Sequence, residues 1–411
     1  MQVVHECCAG LDVHKRTVVA CRVSPGPNGE PSKAIRTFGT MTVDLVALGE
    51  WLGEVGVTDV AMESTGAYWQ PVWNILEHRF QLLLANARHM KAVPGRKTDV
   101  KDCEWIADLL RHGLLQASFV PELESREVRE LTRYRDALVQ ERTAEANRIH
   151  RTLERANIRL GSVASDLLGM SARAMLAQLL EGTRDPEALA ELAQGRMREK
   201  IPTLQQALVG EFGSHQVFLI TRQLRHVDEL DVLIGELSAQ IEERQRPFET
   251  ELALLDTIPG VGRLTAEGIL SEIGPDMAQF PSAGHLASWA GMCPGQNESA
   301  GKRKSGKTRK GSKWLRRLLV QAAHAAARGK TYLAALYRRL AARKGTKKAA
   351  VAVGHAILVI AYHVLQRRTP YLDLGYEYFD RRNQDRLRQQ LIHRLERLGY
   401  TVQLGVQSQA A

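Results

Sequence analysis

Cys7-Cys8-Ala9-Gly10-Leu11-Asp12-Val13-His14-Lys15-Arg16-Thr17-Val18-Val19-Ala20-Cys21-Arg22-Val23 is the stretch on which the fold turns. Cys7–Val13 and Thr17–Val23 are largely apolar runs, the second rich in β-branched residues, and the short polar His14-Lys15-Arg16 between them is a hairpin signal. One residue is out of keeping with that pattern. Asp12 lies within or just after the first apolar strand, where loss of water penalises a carboxylate unless a cation or hydrogen bonds compensate.

Working outward, a turn at Pro25–Gly29 leads to a third strand-like run near Ile35–Met41 and a helix around Val43–Gly53. Val57–Met62 and Phe80–Ala85 supply two more strands, with a helix over Ala67–His78 between them. An antiparallel hairpin feeding later strand and helix units predicts a mixed α/β sheet of the ribonuclease H type. Glu63 then falls at a strand's carboxyl end, a usual position for site residues in such sheets. Asp99 and Asp102 are spaced i, i+3 at the start of a predicted helix, after Pro94-Gly95 and with Thr98 as N-cap, so one helix face carries both carboxylates. Asp12, Glu63, Asp99 and Asp102 form a candidate set for two Mg²⁺ ions. Taken singly, Asp12 also reads as a hairpin-turn carboxylate, Glu63 as a loop charge and the Asp99/Asp102 pair as helix capping. Their joint order favours catalysis.

Ser125 to about Leu160 and Val217–Arg244 are long charged helices with narrow apolar stripes, the second carried by Leu224, Val227, Leu230, Ile234, Leu237 and Ile241. They predict either an antiparallel coiled-coil arm with a dimer interface or two helices of a local bundle. The stretch 161–212 between them is helical in character and otherwise uninformative. Farther on, Leu255–Gly274 reads as helix, Pro-Gly turn, helix. Ile258-Pro259-Gly260-Val261-Gly262 is a candidate helix-hairpin-helix element, with Gly260 and Gly262 exposing backbone N–H groups to phosphate, or else a plain structural turn.

A Gly/Ser-rich basic loop over Pro294–Gly311 and a helix over Lys313–Arg328 follow. Between residues 302 and 317 lie nine basic residues and no acid: Lys302, Arg303, Lys304, Lys307, Arg309, Lys310, Lys313, Arg316 and Arg317. This is a phosphate-binding strip or a solvated basic face. Ser299 stands at its entrance, and as a nucleophile it is matched by Ser305 and Ser312 on residue chemistry alone. Trp289 and Trp314 are expected in the core. The expected domains are 1–120, 121–250, 251–345 and 346–411, the last a helix and tail ending in polar, disordered residues.

The chain has 411 residues, a formal net charge of +10 and five cysteines. The charge favours a polyanionic partner, and the scattered cysteines read as free thiols of a reducing cytosol. The amino terminus lacks the basic start and apolar run of a secretion signal. Ala349–Leu365 is short for a membrane span, contains His355 and His363 and has basic flanks, so it is expected as a buried core helix. The expected location is the cytoplasm, with no membrane partner.

Gly10-Leu11-Asp12-Val13, Met62-Glu63-Ser64-Thr65-Gly66, Lys97-Thr98-Asp99-Val100-Lys101-Asp102, Ile258-Pro259-Gly260-Val261-Gly262, Phe280-Pro281-Ser282, Trp289-Ala290-Gly291 and Ser299-Ala300-Gly301-Lys302 occur in this order. Together they resemble the bacterial insertion-sequence transposases of the DEDD type, the "one-ten" group with its "eleven-eleven" subgroup. The resemblance implies a RuvC-like amino-terminal domain, a carboxyl-terminal transposase domain, an Mg²⁺-binding acid tetrad and Ser299 as nucleophile through a phosphoserine intermediate. It also implies double-stranded donor and target DNA, a guide ("bridge") RNA and a homo-oligomer, dimer or tetramer, in a bacterial cytoplasm and nucleoid-associated when bound. The competing classes are a Holliday-junction-type metal nuclease that uses water and a noncatalytic nucleic-acid-binding protein.

Overall fold

The first strand, β1 (Cys8–Val13), is apolar on both faces and takes the centre of a five-stranded sheet. The computed structural model describes residues 2–26, 30–64, 66–85, 90, 102–294, 297–299, 302–305, 308, 310–382 and 384–403. Asp99, Thr98, Lys307 and Arg309 lie outside these. The chain forms two units, Met1–Val120 and Pro121–Ala411.

In the first unit β1 is followed by β2 (Thr17–Pro25), β3 (Pro31–Gly39), α1 (Thr42–Gly53), β4 (Asp59–Glu63), α2 (Trp69–Leu76), β5 (Gln81–Ala85) and α3 (Asp102–Arg111). The sheet order is β3-β2-β1-β4-β5. β2 runs antiparallel to β1 and β3, whereas β4 runs parallel to β1 and β5. The predicted third strand begins earlier than its apolar residues, at Pro31, because β2 pairs with it throughout and Lys33 reaches Glu104 at 2.9 Å and Asp108 at 2.8 Å on α3.

Strand alternation gives the sheet two different faces. Ala9, Leu11, Val60 and Met62 pack with Leu45, Leu48 and Leu52 of α1 and with Val72 and Leu76 of α2. Cys8, Cys21, Ala61 and Ala85 pack with Cys103, Ile106, Ala107 and Leu110 of α3. Gly10 belongs to this second face. A Cβ there would stand 2.3 Å from both Ala107 N and Cys103 O, so the backbone of α3 rests directly on β1.

The second unit begins with α4 (Leu123–Arg155), then α5 (Leu160–Val163), α6 (Met170–Glu181), α7 (Pro186–Ala190), α8 (Ile201–Ala207) and α9 (Ser214–Gln245). α4 and α9 lie antiparallel: Glu127 pairs with Arg244 near one end, and Glu141 with His226 at 3.4 Å farther along. The first long helix was expected to reach Leu160 and stops at Arg155. Asn157 takes a left-handed φ of +59°, and Ile158 N–H returns to Leu153 O at 3.0 Å, a helix-ending conformation that asparagine tolerates. Leu160 instead enters a cluster at the end of the helix pair with Ile149, Leu153, Leu176, Leu204, Phe212 and Ile220. The uninformative stretch thus packs with the ends of both long helices into a small core.

Beyond α9 come α10 (Glu249–Asp256), α11 (Arg263–Ile273), α12 (Ala283–Trp289), β6 (Asn297–Ser299), β7 (Lys302–Ser305), α13 (Lys313–Ala326), α14 (Tyr332–Lys344), α15 (Thr346–Arg367), α16 (Tyr378–Arg382) and α17 (Gln384–Arg397). By length and composition α15 would suffice to cross a membrane. It packs instead against α10, α12, α13 and α14, with Val353, Ile357, Leu358, Ala361 and Leu365 buried. Two expectations are corrected here. The basic loop contains a β6–β7 hairpin, and Trp289 and Trp314 are only half-buried. The tail is helical over 384–397, and the expectation for its last residues, 404–411, lies outside the described residues. Trp289 packs on Phe280, and Trp314 lies under Lys313 and Arg317, contacts that need one open side.

Candidate active site

β1 and β4 are adjacent and parallel, with Leu11 opposite Met62. Asp12 and Glu63, one residue on in each strand, therefore stand side by side at the carboxyl ends. By alternation both belong to the Gly10 and Ala61 face, which α3 covers. Asp102 is the first residue of α3. The close approach permitted by Gly10 seats that helix on β1 and brings the Asp102 end toward Asp12.

The electrostatics of Asp12 register this arrangement. Burial raises its carboxyl above the ordinary value of 3.8, the adjacent His14 lowers it, and the carboxylates of Asp102 and Glu63 raise it. His14 Nε2 is 3.1 Å from Asp12 Oδ2. The structure thus brings Asp12, Glu63 and Asp102 within electrostatic reach of one another. Among the described residues no group of three or more His, Cys, Asp or Glu could hold a metal ion as placed, and Asp99 lies outside them. His14 escaped the sequence reading. Its signal was the two-residue spacing from Asp12, which was absorbed into the turn.

The candidate serines belong to the second unit, and the structure separates them. Ser299 is the last residue of β6 and pairs with Lys302 of β7, whereas Ser305 pairs with Asn297 at the other end of the hairpin. Ser312 Oγ accepts from Leu315 N–H at 3.2 Å as the N-cap of α13 and donates to Glu272 Oε2 at 3.0 Å. That hydroxyl is occupied by structural bonds.

The basic strip is divided in the same way. Lys302, Arg303 and Lys304 form most of β7, and Lys310 and Lys313 are exposed where α13 begins. Arg316 is engaged with Thr308 and Arg317 with Asp136. Gly260 has a φ of +88°, and a Cβ there would stand 2.3 Å from Ala322 O, so this glycine serves the approach of the turn to α13. Gly262 caps α11 with open space around its Cα.

Comparison with known proteins finds matches to two stretches of the chain. A family model described as "Transposase" matches residues 9–158, and one described as "Transposase IS116/IS110/IS902 family" matches residues 252–338. The "Insertion element IS110 uncharacterized 43.6 kDa protein" of Streptomyces coelicolor is 30% identical over 296 residues, covering 62% of this chain and 71% of that protein. The "Transposase for insertion sequence element IS1111A" of Coxiella burnetii is 25% identical over 373 residues, 88% of this chain and 90% of that one. The "Pilin gene-inverting protein" of Moraxella bovis is 32% identical over 123 residues, 29% of this chain and 38% of that one. The class is that of transposases. The chain belongs to the IS110/IS116/IS902 transposase family of insertion sequences.

Proposed function

We propose that the protein is a DNA transposase that cuts and rejoins strands with Mg²⁺ assistance through a covalent phosphoserine intermediate on Ser299. The observation that carries the metal half is Asp12, half-buried at the end of the central strand and within electrostatic reach of the carboxylates of Asp102 and Glu63. Oxygen-only donors suit a hard divalent cation, which would offset the cost of bringing these charges together. Asp12, Glu63, Asp99 and Asp102 would hold two Mg²⁺ ions, which when bound would stabilise charge on the attacking and leaving oxygens of an in-line displacement. The order β3-β2-β1-β4-β5 with its mixed strand directions supports a ribonuclease H-like, RuvC-type reading of the unit.

For the second half, Ser299 Oγ attacks phosphorus while the bond from phosphorus to the leaving strand oxygen breaks. The serine proton goes to solvent, and the leaving oxygen takes up a proton as a free hydroxyl. A hydroxyl end of another strand reverses the step and releases the serine. One phosphodiester is exchanged for another, so the exchange needs no nucleotide cofactor. Cations of the hairpin, Lys302, Arg303, Lys304, Lys307, Arg309, Lys310 and Lys313, would hold strand phosphates, with the N–H groups around Gly260 and Gly262 assisting. The name of the Moraxella relative, a pilin gene-inverting protein, supports strand exchange over simple cutting.

The remaining parts are a guide RNA pairing with donor and target DNA, a homo-oligomer assembled through the α4–α9 pair as a coiled-coil arm, and action in the bacterial cytoplasm. The guide rests on the family resemblance and on a basic surface suited to any polyanion. Sequencing the RNA that copurifies tests it, and the lack of a discrete species would remove the guide. The serine is tested by denaturing gel electrophoresis with labelled DNA. Wild type should yield a protein–DNA adduct with Mg²⁺, and Ser299→Ala should yield neither adduct nor strand exchange while still binding DNA. Cleavage by wild type without any adduct would replace this reading with a water-using nuclease.

A further inference from the structure

Where the serine hairpin rejoins the helices, one of its attachments leads to α4. Pro294 pairs with Thr308 at the hairpin's base. A Cβ on Gly311 would stand 2.3 Å from Ala290 C, so the outgoing strand is pressed onto the end of α12. Ser312 then donates to Glu272 Oε2 at 3.0 Å. Glu272 is held in turn by Arg133 of α4, whose Nε donates to Oε1 at 2.7 Å and whose Nη2 donates to Oε2 at 3.0 Å. Arg129, one turn away on α4, donates to the backbone oxygens of Ser271 at 3.1 Å and Glu272 at 2.6 Å. Farther along, Asp136 of α4 lies against Arg317 of α13.

A serine N-cap needs no partner beyond the helix it caps. Here the cap is also fastened to a carboxylate only 2% exposed, and burying that charge costs several kcal/mol unless its bonds are complete. The chain Arg133–Glu272–Ser312 therefore ties the residue that begins α13 to α4. The start of α13, where the hairpin is rooted, thereby takes its position from the arm.

We propose that Glu272 is a positioning residue for the Ser299 hairpin: through Arg133–Glu272–Ser312 it fixes the hairpin's base to the arm helix α4. The proposal rests on the reading of Ser299 as nucleophile for its catalytic consequence, but its structural part stands apart from that reading. Asn caps helices as well as Ser does and can donate its amide to a carboxylate, whereas Asp caps equally well and repels one.

The test uses the full-length protein as wild type, Ser312→Asn, Ser312→Asp and Arg133→Gln, the last breaking the tie from α4 without touching the cap. Two quantities are read: hydrogen exchange of the amides in 294–312, and the rate of adduct formation or strand exchange. Ser312→Asp and Arg133→Gln should lose protection in the hairpin but keep it in α11 and α13, and slow the reaction by about tenfold to a hundredfold. Ser312→Asn should stay near wild type in both. Equal exchange and equal rates across the four proteins would overturn the proposal. Should a tie-breaking variant lose protection throughout the second unit, Glu272 serves the core instead of the hairpin, which also overturns it. Failure of the serine reading shows elsewhere, as a Ser299→Ala protein that still recombines DNA.

Discussion

Asp12 is a half-buried carboxyl at the end of the central strand, and on the reading proposed above it is a metal ligand. Because its folded-state value lies above 3.8, ionisation at neutral pH costs folding stability, and that cost fades as pH falls through the raised value. Two outcomes follow for thermal melts. Asp12→Asn should melt a few degrees higher than wild type at pH 7 in chelator, with the difference vanishing in acid. Mg²⁺ should raise the melting temperature of wild type and leave the variant unmoved, and the wild-type response should disappear on acidification at a higher pH than an ordinary carboxylate would give. A variant less stable than wild type in chelator would mean that Asp12 is stabilised by His14 more than it is penalised by burial. Site residues that cost stability in the unliganded protein are a common trade for function.

Helices and strands here meet through glycines. Gly10 lets α3 lie on β1, and Gly260 lets the turn before α11 lie on α13; in both places the obstacle to a Cβ is backbone, which has no rotamer by which to yield. Gly10→Ala should cost about 1–3 kcal/mol in denaturant unfolding and, by displacing α3 with Asp102, abolish the Mg²⁺-induced rise in melting temperature. Gly260→Ala should cost at least as much, since its φ of +88° adds backbone strain, while leaving the Mg²⁺ response of the first unit intact. Equal Mg²⁺ responses in the two variants would show that α3 does not carry an acid of the site.

Across the whole molecule the excess of positive charge is the dominant long-range property, at +10 for the chain. Nucleic-acid binding should weaken linearly on a log–log plot against salt, and replacing the exposed pair Lys310 and Lys313 by Ala should reduce the steepness of that line by about 1–2. A slope unchanged by the double substitution, measured by fluorescence anisotropy, would place the phosphate contacts elsewhere. The family matches divide the chain differently from its units. The first runs from β1 through α4 and the second covers the turn, the hairpin and α13, so the second unit is built from both matched regions, with α4 as the element against which the downstream helices are packed.

Much of this was legible in sequence because it depends on local periodicity. The β1–β2 hairpin, the strand-end position of Glu63, the two long helices and the apolar character of α15 are all properties of residues near one another in the chain. The stop at Asn157 also has a local cause, but the periodic stripe masked it. Only the tertiary structure decided which charges meet. His14 reads as a turn residue until β1 and β2 close, and Glu272 reads as one acid in an apolar helix until Arg133, well over a hundred residues earlier, reaches it. Gly10 gives no sign of its purpose until α3 is laid across it. Burial and pairing of charge depend on distances between segments far apart in sequence, and those distances exist only once the chain has packed.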